Sequence, residues 1–285
     1  MSKIFFACSM RGGCEKVKQD DLREIAFILK SLGHTLISEH QTDNDFFNQE
    51  SAFSATEIFQ RDYCWIMECD YIIAEITNPS LGVGGEISDA SALEKPVLCL
   101  YKKKEEKSIS AYIRGKANSI FTPTIKSESY CDLDELKSKT ENFIKRNPVK
   151  RNIIKVAAAM INQNKELLIV RKKHSKIYIH PGGKIDGKET HFETLQRELM
   201  EELKVDLIES KYFKSYFSPS AAHDPNCTLA FHLYIAKWGG KLKPSSEIYK
   251  AEWLKKGDIE SKKYELAILF SQIIPDLRKA GLIDI

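Results

Sequence analysis

The sequence predicts an α/β parallel-sheet domain followed by an α+β domain. The first half alternates short apolar runs with segments of helical periodicity, whereas the second half opens with two consecutive strand-like runs. Alternating strands and helices are typical of a parallel sheet that is covered on both faces. A polar, basic segment with a proline, "KRNPVKRN" from Lys145 to Asn152, separates the two patterns. We therefore predict domains at residues 1–146 and 152–285, joined by a linker at residues 147–151.

Each apolar run of the first half is followed by a helical pattern. The predicted strands are "KIFFAC", "HTLIS", "YIIAEI" and "VLCLY". Between the first two, four apolar side chains recur at helical spacing, and Gly33 ends that helix. A second helix is expected around "ATEIFQRDYCWIMEC", and a third begins in the glycine-rich stretch from Asn78 to Ala90. Ligands bind such sheets at the carboxyl ends of the strands.

The second half mixes strands with one long helix. The strands "IIKVAAAMI" and "ELLIVRKK" are joined by the turn "NQNK", and the chain then passes through "IYIHPGGK". A helix is predicted from Phe192 to Leu203, before further strands that include "TLAFHLYIAKW". His180, at the end of a predicted strand, is expected to be a packed residue rather than a ligand.

Composition excludes several classes of protein. The 285 residues contain no apolar run of about 18 and no basic-then-apolar leader, so we expect a cytoplasmic protein without a membrane partner. Seven cysteines without a CxxC pair indicate reduced thiols rather than a zinc site. The net charge of +3 is small, and the lysine runs fit solvated surfaces, so no nucleic-acid polymer is implied.

Three carboxylates crowd one face of the predicted long helix. Glu198, Glu201 and Glu202 stand at positions i, i+3 and i+4, beside an apolar stripe. An isolated pair of acids in such a place is usually a solvated surface, since like charges there cost only a few tenths of a kcal/mol. Three clustered oxygen ligands on a rigid helix instead suit Mg²⁺ or Mn²⁺ together with substrate phosphates.

This region resembles the Nudix box of the Nudix hydrolase family. The residues at the spacing of the box are Gly183, Glu189, Arg197, Glu198, Glu201 and Glu202, and they follow a "PGG" turn. The resemblance implies an α+β Nudix domain in which the last three acids bind Mg²⁺ or Mn²⁺. It also implies that Glu201 and Glu202 are catalytic and that Arg197 orients Glu189. The implied reaction is the attack of a metal-activated water on a nucleoside diphosphate linkage.

One residue departs from that family. Lys204 stands where the family has a glycine near the end of the box, at a cost of about 1 kcal/mol if a left-handed conformation is required. Two alternatives stay open: the second half binds nucleotides as a sensor without hydrolysing them, or it cleaves a dinucleotide such as ADP-ribose. The intact acids favour hydrolysis.

The glycine-rich stretch "SLGVGG" of the first half, from Ser80, is a candidate phosphate site. Unpaired backbone N–H groups and the helix dipole favour an anion at a helix N-terminus, and glycines permit close approach. A tight strand-to-helix turn would use the same glycines. It would leave Glu86 unexplained, because a carboxylate repels a phosphate. We interpret Glu86 as a nucleophile that attacks the anomeric carbon of a sugar.

Three segments of the first half resemble the 2'-deoxynucleoside 5'-phosphate N-hydrolases of the nucleoside 2-deoxyribosyltransferase superfamily. These segments are "FFACSMRGG", "RDYCWIMECDYIIAEITNPSLGVGGEISDA" and "SISAYIRG". The resemblance implies a Rossmann-like (flavodoxin-like) domain without a cofactor, with Glu86 as nucleophile and Asp62 as a second acid near the sugar. The substrate-binding positions it implies are Ser9, Arg11, Gly12, Ser80, Gly82, Gly84 and Ser110. Since Ser110 would reach the phosphate of the neighbouring subunit, a homodimer through the first domain is expected.

Three residues depart from this second family. Phe5 stands in place of a tyrosine, Cys8 in place of a glycine and Gly85 in place of a tyrosine before the nucleophile. The lost hydroxyl leaves the choice between deoxyribose and ribose open, and Gly85 widens the base side of the pocket. Together the halves predict a bifunctional nucleotide-pool hydrolase that acts on small-molecule nucleotides. One domain converts a nucleoside triphosphate to the monophosphate, and the other removes its base.

Overall fold

The computed structural model describes residues 2–10, 16–149, 151–187, 189–218 and 227–285. These residues fall into two compact units that divide between Asn152 and Ile153, with Cys227 and Thr228 grouped with the first. Within the described ranges, every helix is too short or too polar to cross a lipid bilayer.

The first unit is built on a five-stranded parallel sheet with the order β2-β1-β3-β4-β5. Its strands are β1 (Lys3–Ala7), β2 (Thr35–Leu36), β3 (Tyr71–Glu75), β4 (Val97–Lys102) and β5 (Ile125–Tyr130). The parallel sheet is confirmed, although the segment "HTLIS" contributes only two residues to it. Along β1, Ile4 and Phe6 enter one core while Phe5 and Ala7 enter the other, as expected for alternate side chains of a strand.

Helices cover both faces of this sheet. They are α1 (Gln19–Ser31), α2 (Phe46–Ser51), α3 (Ala55–Glu68), α4 (Leu81–Ala92), α5 (Ala111–Ala117) and α6 (Leu133–Arg146), with 3-10 turns at Glu39–Thr42 and Lys103–Ser108. Apolar residues of α1 and α6 pack in one core. Those of α3, α4 and α5 pack in the other. This arrangement places the N-terminus of α4 at the carboxyl edge of the sheet, where ligands of such folds bind.

The second unit combines two four-stranded sheets, with the orders β10-β11-β6-β9 and β12-β7-β8-β13. Its strands are β6 (Arg151–Met160), β7 (Leu167–Lys172), β8 (Ile177–Ile179), β9 (Gly182–Lys184), β10 (Asp206–Ser218), β11 (Cys227–Gly239), β12 (Ile248–Leu254) and β13 (Glu265–Leu266). Its helices are α7 (His191–Leu203) and α8 (Phe270–Lys279). The pairing is mixed, since β7 runs antiparallel to β12 and β8 while β8 and β13 are parallel. The predicted α+β class is confirmed.

Helix α7 begins and ends with distinct local structures. At its start, Thr190 and Glu193 form a reciprocal capping box, in which the Thr190 side chain accepts from the backbone N–H of Glu193. Leu195, Leu199 and Leu203 are fully buried against the sheets. The helix ends at Lys204, whose φ of 57° and ψ of 39° are left-handed. Lys204 therefore occupies the conformation that favours glycine.

The segment "IYIHPGGK" forms two strands that belong to different sheets. Strand β8 pairs with β7, whereas β9 pairs with β6. At the switch, Gly182 has a φ of 127°, and a Cβ atom there would lie 2.3 Å from the carbonyl oxygen of Val156. Only glycine fits this position, since the backbone is strained for other residues and the space is filled. The switch brings β9 alongside α7.

Candidate active sites

A cavity of about 190 Å³ lies at the N-terminus of α4. Ser80 caps the helix, and its Oγ accepts a hydrogen bond of 3.3 Å from the N–H of Val83. Ser80, Gly84 and Ser110 line the cavity together with Ser108 and a set of apolar side chains. Hydroxyl groups and the positive end of a helix dipole suit an anion such as a phosphate. Three of the predicted substrate-binding residues are thus brought together.

Two other predicted phosphate residues, Ser9 and Gly82, do not line this cavity. Gly82 is exposed in the first turn of α4, and a Cβ atom there would lie 3.7 Å from the Oγ of Ser80. Ser9 follows β1 and is 4% exposed. Arg11 and Gly12 lie outside the described residues.

Asn78 is a buried residue of the β3–α4 connection that the sequence did not single out. Its Oδ1 accepts from the backbone N–H groups of Lys16 and Val17 at 3.3 Å, and its Nδ2 donates to the carbonyl of Val17 at 2.7 Å. These bonds tie the beginning of the α4 loop to the segment that precedes α1. The asparagine two residues before Ser80 was the sequence signal that could have identified this contact, since an amide buried in a turn must be hydrogen-bonded.

Glu86 lies one and a half helical turns beyond Ser80. Its Oε2 is buried and has no hydrogen-bond partner among the described residues. Burial, together with the charges of Asp62 and Asp89, raises the pKa of Glu86 to about 8. Beside it, a Cβ atom at Gly85 would meet nothing within 4 Å. The nucleophile candidate is therefore a desolvated carboxyl group with open space next to it.

Asp62 lies on α3, which packs against α4, and its charge acts on Glu86. Burial raises the pKa of Asp62, although the neighbouring Arg61 opposes that shift. The structure thus brings together the two acids predicted for the first unit. Arg61 and the residue that anchors it, Glu50, were missed, because nothing in the spacing of two residues 11 positions apart indicates a contact.

The geometry of the first unit fits a reaction at the anomeric carbon of a sugar that carries a phosphate group. Glu86 stands six positions after Ser80, which corresponds to about 9 Å along a helix axis. An anion at the helix N-terminus would thus hold its sugar near the Glu86 carboxyl group. Once ionised, the Glu86 carboxylate, whose Oε2 has no partner among the described residues, can attack an anomeric carbon.

In the second unit, Arg197 binds Glu189 through two parallel hydrogen bonds. Its Nε donates to Oε1 at 2.7 Å and its Nη2 to Oε2 at 2.9 Å. The remaining donor, Nη1, binds Oε1 of Glu198 at 2.9 Å. The Arg197 hydrogen bonds hold the pKa of Glu189 near 2. The loop before α7 is thereby tied to the helix by a charge-assisted, forked pair.

The three predicted metal ligands occupy different environments on α7. Glu202 is 2% exposed, and its Oε2 accepts from the N–H of Gly182 at 2.9 Å. Its Oε1 is buried without a partner among the described residues, and burial raises the pKa of Glu202. The Glu198 side chain is 14% exposed and faces Gly183, whereas that of Glu201 is 54% exposed.

This donor set fits a divalent metal ion. An unpartnered buried carboxylate oxygen is costly unless a proton or a cation satisfies it. Hard oxygen ligands suit Mg²⁺ and Mn²⁺. Gly183 leaves the space that the Glu198 carboxylate occupies, because a Cβ atom at residue 183 would lie 1.9 Å from Oε1 of Glu198. Glu198 and Glu202 face β9, with Glu201 on the solvent side.

His180 is a core residue rather than part of this donor set. It is 3% exposed, and its ring stacks on Phe270 with centroids 4.3 Å apart. Neither ring nitrogen has a hydrogen-bond partner among the described residues. Burial lowers the pKa of His180 to about 3. The structure thus places His180 in the packed position that the sequence led us to expect.

Comparison with known proteins identifies two families along the chain. Residues 4–143 match the model of the nucleoside 2-deoxyribosyltransferase family, and residues 151–277 match that of the NUDIX domain. The chain is 38% identical over 134 residues to a protein of Syntrophotalea carbinolica that is named "Putative 2'-deoxynucleoside 5'-phosphate N-hydrolase 1". The alignment covers 47% of this chain and 88% of the relative.

Two further similarities fall on opposite halves. The 5-hydroxymethyl-dUMP N-hydrolase of Mus musculus is 38% identical over 117 residues, which are 40% of this chain and 66% of that protein. The crystal structure of a MutT protein from Methanosarcina mazei Go1 is 20% identical, with a TM-score of 0.40, and the match covers 46% of this chain and 96% of that one.

Proposed function

Because the chain belongs to the 2'-deoxynucleoside 5'-phosphate N-hydrolases through its first unit and carries a Nudix domain in its second, it is a hydrolase, and we propose that it is bifunctional. The second unit cleaves a nucleoside triphosphate to the monophosphate and pyrophosphate. The first unit hydrolyses the N-glycosidic bond of a nucleoside 5'-monophosphate to free base and sugar 5-phosphate. The product of one reaction is the substrate of the other, so the pair removes a nucleotide irreversibly.

The observation that carries the proposal is the unpartnered carboxyl group of Glu86 beyond the serine-lined cavity of α4. In the proposed mechanism, the phosphate binds at the helix N-terminus with Ser80 and Ser110. Ser9, Arg11, Gly12, Gly82 and Gly84 complete that subsite. Asp62 lies beside the sugar as a second acid.

The reaction proceeds in two steps at C1' of the sugar. An oxygen of the Glu86 carboxylate attacks C1', and the bond to the base breaks with its electron pair leaving on the base nitrogen, which takes up a proton. A water molecule then attacks C1' of the glycosyl ester and loses a proton. This step frees the Glu86 carboxylate and the sugar 5-phosphate, as in retaining glycosidases.

Nudix hydrolases generally use divalent metals such as Mg²⁺. We propose that Glu198, Glu201 and Glu202 hold Mg²⁺ or Mn²⁺, with Glu201 and Glu202 also catalytic. A cation held there would lower the pKa of a water molecule and neutralise phosphate charge. Arg197 keeps Glu189 and Glu198 in place, and Gly183 leaves room for the Glu198 carboxylate.

We also propose that the first unit forms a homodimer. Ser110, which the resemblance assigned to the phosphate of the neighbouring subunit, lines the cavity of its own chain. Two large apolar side chains are exposed in this unit, Leu81 of α4 at 98% and Phe59 of α3 at 58%. Exposed apolar surface marks sites of protein contact, which supports a partner subunit here. Light scattering on the wild type and on Leu81→Glu tests this. A dimer that becomes monomeric in Leu81→Glu supports the interface, and a monomeric wild type contradicts it.

The test of bifunctionality is a nucleotide library incubated with the full chain and Mg²⁺, with products identified by mass spectrometry. Glu86→Ala should accumulate the monophosphate. Glu202→Gln should leave the triphosphate intact and still release base from added monophosphate. Glu141→Ala, an exposed acid on α6, is the matched control and should behave as the wild type.

Other outcomes discriminate between the alternatives. If Glu86→Ala accumulates no monophosphate, the coupling of the two reactions is wrong. Nucleotide binding without turnover in both the wild type and Glu202→Gln would indicate a sensor. Consumption of ADP-ribose in place of triphosphates would assign the second unit to dinucleotides.

A further inference from the structure

A charged network holds Asp62 in place. The guanidinium of Arg61 donates to Oδ1 of Asp62 twice, from Nε at 3.0 Å and from Nη2 at 2.9 Å. Its third nitrogen, Nη1, donates to Oε1 of Glu50 at 2.6 Å. No described residue donates to Oδ2 of Asp62. One oxygen of Asp62 is thus fixed by the protein, and the other is left for a ligand.

Arg61 cannot reach Asp62 without support, because neighbouring residues of a helix point in directions about 100° apart. Glu50 provides an anchor on α2, and its side chain is only 4% exposed. The ring of Trp65 provides a platform, with the guanidinium carbon 4.8 Å from its centroid. A second ring, that of Phe53, lies 5.8 Å from the same carbon. The planar fork of arginine uses all of these contacts, which an ammonium group would not.

The anchor is itself held in place. His40 shares Oε1 of Glu50 with Arg61, at 3.2 Å from its Nε2. The His40 ring packs on Trp65, with centroids 5.0 Å apart. Burial alone would raise the pKa of Glu50, but the hydrogen bond and charge of Arg61 outweigh it and hold that pKa below its ordinary value. Glu50 is therefore a charged group that is retained in the interior by Arg61.

We infer that Arg61 is a positioning residue for the first unit's reaction, which orients Asp62 toward the sugar through a network anchored on Glu50. The inference rests on the proposed function of this unit. Arg61 touches neither Glu86 nor the α4 cavity, so it acts through Asp62.

Arg61 also offsets the negative charges that face Asp62. Glu50 of α2 raises the pKa of Asp62, whereas Asp62 and Asp89 both raise that of Glu86 on α4. His40 acts on this set through Glu50. Burial raises the pKa of Asp62, and the charge of Arg61 opposes the rise. Removal of Arg61 should thus move the protonation of Asp62 to higher pH.

The experiment compares Arg61→Gln, Arg61→Lys and Glu50→Gln in the full-length protein. Hydrolysis of a panel of deoxynucleoside monophosphates is followed across pH, with kcat and KM determined separately. Arg61→Gln should lower kcat/KM by about tenfold to a hundredfold, because misplacing a group by about 1 Å has effects of that order. The pKa of Asp62, followed by carbon NMR, should rise in Arg61→Gln because the charge that opposes the rise is lost. Arg61→Lys should restore that pKa but not kcat, since it keeps the charge and loses the fork.

Two comparisons separate positioning from a merely structural role. Glu50→Gln should reproduce much of the Arg61→Gln loss, and the double variant should be no worse than Arg61→Gln alone, as expected for residues acting in one chain. Arg146→Gln, at an exposed position in the last turn of α6, is the matched control. Melting temperatures identify any variant that fails to fold. If Arg61→Gln does not fold, the kcat of Arg61→Lys decides whether Arg61 is a positioning residue.

The inference is overturned if Arg61→Gln keeps the wild-type kcat/KM and pH profile while Asp62→Asn is impaired. If the wild type cleaves no monophosphate, the proposed function has failed. The role of Arg61 is then decided by the pKa of Asp62, followed by carbon NMR in the wild type and in Arg61→Gln. An unchanged pKa in that comparison overturns the inference as well.

Discussion

The α-carbon of Gly183 and the carboxylate of Glu198 are so close that a Cβ atom on residue 183 would lie 1.9 Å from Oε1 of Glu198. The conflict is with the end of a flexible side chain, so Gly183→Ala should displace the carboxylate and leave the fold intact. We expect Mn²⁺ affinity to weaken by about tenfold or more, measured by calorimetry. Gly239→Ala is the matched control, since its Cβ would meet only side-chain atoms of Ile208, the nearest being Cδ1 at 3.3 Å. Unchanged Mn²⁺ binding in Gly183→Ala would show that metal binding does not depend on the space that Gly183 leaves for the Glu198 carboxylate.

Lys204 ends α7 in a left-handed conformation, with φ of 57°. Glycine adopts this conformation without the Cβ penalty, so Lys204→Gly should stabilise the second unit by about 1 kcal/mol. Thermal unfolding checks this, and Lys204→Ala should bring no such gain because it keeps the Cβ atom. The same pair of variants tests whether Lys204 limits hydrolysis. Equal pyrophosphate release in the wild type and Lys204→Gly would show that Lys204 at the end of α7 does not limit hydrolysis.

Burial lowers the pKa of His180 to about 3, against about 6.5 for an unfolded histidine. The unfolded state therefore binds the extra proton first, and stability is lost as the pH falls below about 6.5. The loss should approach about 1.4 kcal/mol per pH unit. His180→Phe, which can still stack on Phe270, should remove that part of the slope in urea unfolding. The same substitution at the exposed His174 is the control. An unchanged pH dependence of stability in His180→Phe would show that His180 does not cause it.

Burial and the charges of Asp62 and Asp89 raise the pKa of Glu86 to about 8. If ionised Glu86 is the nucleophile, kcat/KM for the monophosphate should rise with pH through that value. Asp89→Asn removes one negative charge and should lower the pKa of Glu86, so the limb moves to lower pH and activity at pH 7 increases. The control is Ser88→Ala, which removes no charge. A limb that stays in place in Asp89→Asn would mean that another group controls the rate.

Local pattern was enough to predict the elements whose causes are local. Leu195, Leu199 and Leu203 repeat at helical spacing, and the helix forms within one residue of its predicted start. The apolar run at β3 is buried along its whole length, as its composition indicates. The segment "IYIHPGGK" shows the limit, since its division between two sheets depends on where Val156 and β7 lie.

The sequence by itself determined the two fold classes and which acids are candidates. Spacing on one helix grouped Glu198, Glu201 and Glu202, whereas Glu86 and Asp62 were indicated by the glycine-rich turn and by family resemblance. Only the tertiary structure decided how each acid is placed. It separated the buried Glu202 from the exposed Glu201, and it brought Glu50 of α2 to Arg61 of α3. These differences arise from desolvation and from contacts between distant segments, which depend on packing rather than on local pattern.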